Sequence, residues 1–146
     1  MALVATSAAG LAELFVVAAR VTQASRIDTA ATFAAQAKMA QLRMLTWAYD
    51  PAGTGEPVSD LGLAWSPETA LTANVDGFAD YVDAAGVSVG GSTEAPRDGV
   101  YLRRWCIRPL PSDPANGLVL QVVATRVTRP ESRDVHLVSI LARTAQ

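Results

Sequence analysis

Asp76, Asp80 and Asp83 crowd the stretch "NVDGFADYVDAAG", and three carboxylates are the raw material of a calcium site. Their spacing fits no EF-hand loop, which takes ligands at alternate positions and a distal Glu. They read as turn acids on a solvated face, with calcium left undecided. Ser, His and Asp all occur, but His136 falls in an alternating apolar stretch and no serine sits in a G-x-S-x-G elbow. His136 is expected to be a satisfied structural residue. Cys106 stands between Trp105 and Ile107 and is expected to be an inert thiol. One cysteine makes no intrachain disulfide, and one cysteine with one histidine makes no zinc site. "GVSVGG" lacks the Lys-Ser/Thr and the helix of a phosphate loop. Arg103 and Arg104 beside Trp105 have the residue types of a nucleic-acid contact, but the net charge is −2 and the aromatic is isolated. The chain is therefore expected to hold no catalytic group, cofactor or metal, to bind no nucleic acid, and not to be an enzyme.

What remains is architecture. A chain of 146 residues, half of them apolar, is one domain with room for a core and an appendage. Charge is unevenly spread. Nine acids and one base, Arg97, lie between Asp50 and Asp98, and seven arginines with three acids lie between Arg103 and Arg143. Neither block is a continuous run, so the asymmetry marks faces of a folded domain.

The first third reads as one helix. "ALVATSAAGLAELFVVAA", Ala2–Ala19, has a single charge, Glu13, and is close to the length of a membrane span. Three readings stay open for it: a buried or interfacial helix, a membrane-inserting segment, or a cleaved signal peptide. Further on, Phe33, Ala37, Ala40, Met44 and Trp47 recur at steps of four and three, and Ile27 and Ala30 extend that stripe. Gln23, Lys38 and Gln41 take the opposite, polar face. Pro51, Gly53 and Gly55 supply the stop. A helix from about Leu3 to Ala48 is about 70 Å long. A domain of this size cannot cover such a rod, so lipid or other subunits must cover its first half.

The rest reads as short hairpins and a sheet. "DGFADYVDAAGVSVGG" predicts strands Phe78–Val82 and Val87–Val89 around a turn at Asp83–Gly86. "GVYLRRWCIRPLP", "NGLVLQVVATRVTRP" and "RDVHLVSILAR" predict three strands in an antiparallel meander. Trp105 and Ile107 share one face, with Arg104 and Arg108 opposite. Leu118, Leu120, Val122 and Ala124 share a face of the next strand. These faces are expected to pack on the Phe33–Trp47 stripe.

Two stretches carry a family resemblance. "ATFAAQAKMAQLRMLTW" resembles the amphipathic end of the helix of type IV pilin-like subunits. "GVYLRRWCIRPLP" with "HLVSILAR" resembles their sheet. The resemblance is closest to minor pilins and to the minor pseudopilins of type II secretion, and it covers about half the chain. It implies an α+β, pilin-like fold: a long N-terminal α-helix packed on a C-terminal antiparallel sheet of three to five strands. It divides the chain into a hydrophobic half-helix, 1–25, and a head, 26–146. The family's cleavage Gly and the Glu that follows it do not map onto Gly10 and Glu13, which are too close together; the chain is either trimmed at its start or a relative that lost processing.

The function implied is that of a structural subunit that enters a pilus or pseudopilus through its N-terminal helix. Its partners would be other pilin or pseudopilin subunits. It would sit in the bacterial inner membrane, head in the periplasm, before joining the filament. The assembly interface is expected at Leu11, Glu13, Leu14, Phe15, Val17 and Val21. A membrane-anchored periplasmic ligand-binding or sensor domain is the alternative, and it calls for an apolar pocket in the head.

Overall fold

The structure is a computed structural model that describes the backbone of residues 2–49, 57–59, 61–91, 94–128 and 134–143; side chains are described from Phe15 onward, apart from 23, 24, 27, 49 and 57–61. Helix α1 spans Ala2–Arg43. Seven strands follow: β1 Trp47–Tyr49, β2 Pro57–Ser59, β3 Ala79–Val82, β4 Ser88–Gly90, β5 Tyr101–Pro109, β6 Gly117–Arg126 and β7 Val135–Ala142. β1 and β2 form a small antiparallel ribbon. The other five strands make one sheet in the order β4-β3-β5-β6-β7.

The meander is the part that local pattern dictates most directly. β5 pairs with β6 through Trp105↔Val122 and Ile107↔Leu120, and β6 pairs with β7 through Val122↔Leu137. Alternation then sends Arg103, Trp105, Ile107, Leu118, Leu120, Val122 and Ala124 to one face. Ile107, Leu118, Leu120 and Val122 are sealed from water. Each such aliphatic side chain contributes about 1.5–3 kcal/mol by leaving water. The β3–β4 hairpin turns where the Asp-Ala-Ala-Gly signal stands. Asp83 Oδ1 accepts hydrogen bonds from the N–H groups of Ala85 and Val87, and Gly86 takes a φ of 84° that favours glycine.

The expected pilin-like fold needs correction, because the helix does not lie on the sheet as one long packed element. Among the described side chains of α1, all of Phe15–Thr22 is exposed, and burial is confined to Ala30–Leu42. Nor is the sheet purely C-terminal, since β3 and β4 come from the middle of the chain.

The packed face is also the opposite of the one expected. Ala31, Ala34, Ala35, Lys38, Met39 and Leu42 face the sheet, at steps of three and four. Phe33 is 66% exposed and Met44 85% exposed, and Ala37 and Ala40 are exposed as well. Small side chains explain the choice. Ala31 and Ala34 let the helix backbone come close to Val82 and Tyr101. Ala35, Met39 and Leu42 then fill the space over Trp105, Ile107 and Leu120.

The helix also ends earlier than expected. It stops at Arg43, and the N–H groups of Met44 and Leu45 close the last turn on the carbonyls of Ala40 and Leu42. Trp47 is buried as expected, but from β1, where it pairs opposite Ser59.

Candidate functional site

Two features of α1 bear on function: a buried ion cluster that fixes the helix on the sheet, and an apolar surface beyond the reach of the sheet.

Lys38, the only lysine in the chain, is 8% exposed. Its Nζ lies 3.5 Å from the centroid of the Trp105 ring. The same ammonium is 3.8 Å from Asp80 Oδ2. Arg103 holds that carboxylate with a two-pronged contact, Nε to Oδ1 at 2.8 Å and Nη2 to Oδ2 at 2.6 Å. Its Nη1 reaches the Ala34 carbonyl of the helix at 3.4 Å. The register of the sheet makes this possible, because β3 sets Asp80 directly opposite Arg103, on the face toward α1. One carboxylate thus serves two cations, and a third contact ties the arginine to the helix backbone.

Burial holds the Lys38 ammonium below its usual pKa of 10.5; Asp80 pulls it back up, and Arg103 pushes it down. A lysine of lowered pKa is the raw material of amine nucleophiles, yet this one is packed against an indole. A desolvated cation over a Trp face gains about 2 kcal/mol, which offsets part of the cost of burying the ammonium. The cluster therefore acts as a clamp, setting the rotation and height of α1 over β3 and β5.

Of the residues expected at the assembly interface, Phe15, Val17 and Val21 are 75%, 55% and 63% exposed. Val16 beside them is 50% exposed. Leu11, Glu13 and Leu14 lie in α1, but their side chains fall outside the described residues. Counting back from Leu42 through Ala35 and Ala31 at helical steps, Val21 and Val17 continue the sheet-facing stripe past the end of the sheet. Phe15 belongs to the other side, in line with Phe33 and Met44. So the exposed apolar groups surround the helix. Among the described residues, no helix is long and apolar enough to cross a membrane.

The remaining candidates separate. Asp80 is no turn acid but the centre of the clamp, while Asp83 caps its own turn. Among the described residues no group of three or more His, Cys, Asp or Glu side chains is placed to hold a metal ion. Cys106 is buried at 2% exposure on the face away from the helix. His136 is exposed there, opposite Val123, rather than sitting as a packed structural residue. Arg104 reaches the side-chain oxygen of Asn74, whose amide donates to the Tyr81 hydroxyl.

The clamp was missed in the sequence because Lys38 looked like part of a polar stripe. Its being the chain's one lysine, set between Ala34, Ala35 and Leu42 at helical steps, was the available signal.

No family model, no curated protein and no solved structure matches the chain.

Proposed function

We propose that the chain is a structural subunit, a minor pilin or a type II secretion minor pseudopilin, that joins a filament through its N-terminal helix. One observation carries the reading. The head has its own closed core and a clamp for the helix, while Phe15, Val16, Val17 and Val21 stand exposed around the helix beyond it. A helix that is apolar on all sides belongs inside a bundle or a membrane, and a contiguous exposed apolar surface marks a contact.

On this reading the subunit waits in the bacterial inner membrane with its head in the periplasm. Neighbouring helices then replace lipid around Leu11, Leu14, Phe15, Val17 and Val21, and Glu13 needs a cationic partner in that dry surrounding. Phe33 and Met44, turned away from the sheet, extend the contact along the head.

The competing reading, a membrane-anchored ligand-binding or sensor domain, would use the groove between α1 and the β3–β4 turn. Ala30, Phe33, Ala37, Asp83 and Tyr101 line it, about 450 Å³ in all. Imaging of filaments from cells that carry tagged wild-type chain or the Phe15→Asp/Val17→Asp variant separates the two. A filament subunit appears in sheared filaments and is lost from them in the variant. A sensor stays with the cells in both cases.

A further inference from the structure

The two edges of the five-stranded sheet are unlike. β4 is three residues long, and the Pro96 ring lies against Gly90 there. Short strands and nearby prolines are how edges are kept from pairing. β7 is eight residues long and ends the sheet on the other side. Its sequence, VHLVSILA, has no Lys, Arg, Asp, Glu or Pro. Val138 and Ile140 are 66% and 58% exposed on its outer face. Among the described residues no strand pairs with the far side of β7, and an uncharged, apolar edge of this length is a template for another strand.

The backbone fixes which groups are on offer. The Arg143 N–H donates to the Asn116 carbonyl of the neighbouring β6 chain segment. By the two-residue period, Leu141, Ser139, Leu137 and Val135 also turn their backbone groups toward β6. Those of His136, Val138, Ile140 and Ala142 point outward.

We propose that β7 pairs antiparallel with β7 of a second copy, centred on Ser139. This register sets Val138 opposite the copy's Ile140 and His136 opposite its Ala142. Every outward backbone group then meets an outward group, for about eight new hydrogen bonds. Like also meets like among the side chains: Val138 with Ile140 on the outer face, Leu137 with Leu141 on the inner. Centring on Val138 instead sets Leu137 against Ser139 and His136 against Ile140, which wastes both apolar faces. The strand has no fixed charge between Val135 and Ala142, so no like charges oppose in the pair.

This proposal goes beyond the filament reading and does not rest on it. The pair is closed by a two-fold axis and turns its two α1 helices in opposite directions. Neither a filament whose subunits all point one way nor two chains anchored side by side in one membrane has a place for it, so the pair belongs to chains free of both.

Disulfide trapping on the full-length chain in non-ionic detergent tests it, with Phe15→Asp/Val17→Asp as the background so that helix contacts do not report. Ser139 meets its own image with Cα atoms about 4.5 Å apart, within disulfide reach. His136 lies about 20 Å from its image. Under mild oxidation Ser139→Cys is expected to become mostly disulfide-linked dimer, and His136→Cys to stay monomeric. Val138→Pro removes an outward N–H without touching the β6 pairing; added to Ser139→Cys it is expected to cut the dimer at least tenfold with an unchanged melting temperature. A monomeric Ser139→Cys chain, or equal cross-linking of His136→Cys, overturns the proposal.

Discussion

The Lys38 ammonium sits 3.5 Å from the centroid of the Trp105 indole, on the face of the sheet that α1 covers. The contact joins the helix to β5, and Asp80 of β3 lies within 3.8 Å of the same ammonium. Helix rotation, sheet register and charge balance all meet at this one side chain.

Because burial lowers its pKa, Lys38 shifts stability with pH in a defined direction. In the window between the lowered folded pKa and 10.5, the unfolded chain holds more protons than the folded one. Stability from this group therefore rises as pH rises through the window, and below it the cost of the buried charge is present in full. The Lys38→Met variant is expected to lack that rise and to be as stable as wild type, or more so, at pH 7. Urea melts of both proteins from pH 7 to 10.5 measure the difference. A wild type that loses stability relative to Lys38→Met across the window would reverse the sign. Acylation of Lys38 by an amine-directed reagent should also be slow until the head unfolds.

Arg103 and Asp80 form the other half of the clamp. Arg103→Leu leaves Asp80 with the more distant Lys38 alone, and losing one member of a buried pair costs about 3–5 kcal/mol. Asp80→Asn leaves two cations facing each other and is expected to cost as much. Chemical denaturation should place both variants well below Lys38→Met. Equal stability of all three would mean that the cluster does not fix the helix.

The two faces of α1 predict opposite outcomes. Leu42→Ala empties space over the sheet and should cost about 2–5 kcal/mol. Met44→Asp falls on an 85% exposed side chain and should move stability by no more than about 0.5 kcal/mol. A large loss in Met44→Asp with little in Leu42→Ala would restore the stripe read from the sequence.

Cys106, 2% exposed and without a disulfide, is expected to react with a thiol reagent only as fast as the head unfolds. Cys106→Ala should cost about 1–2 kcal/mol. Rapid labelling of the native chain would contradict its burial.

These variants also show what the sequence could and could not convey. β5, β6 and β7 were legible because alternation and turn signals are local, and each strand carries its own pattern. The packed face of α1 was not. Phe33 and Met44 outweigh Ala31, Ala34 and Ala35 in hydrophobicity, yet closeness to the sheet rewards the smaller residues. Lys38 looked like a solvent-facing residue because its partners are far away in the chain. Asp80 and Arg103 are separated by 23 positions, and only the β3–β5 register brings them together. Trp47 and Ala48 seemed to extend the helix because Trp47 fell on the helical step from Met44; pairing with Pro57–Ser59, which no local pattern announces, took them into a strand. Of the six residues expected to mediate assembly, Phe15, Val17 and Val21 are exposed, and the side chains of Leu11, Glu13 and Leu14 lie outside the described residues.

Deletion of residues 1–26 separates the part of α1 proposed to serve assembly from the clamped part that serves the fold. Among the described residues, the clamp and the buried core residues of α1 lie at or beyond Ala31. The remaining head is expected to be soluble and monomeric, to melt cooperatively with the full chain's midpoint in urea, and no longer to enter filaments. A head that fails to fold, or one that still enters filaments, would contradict that division.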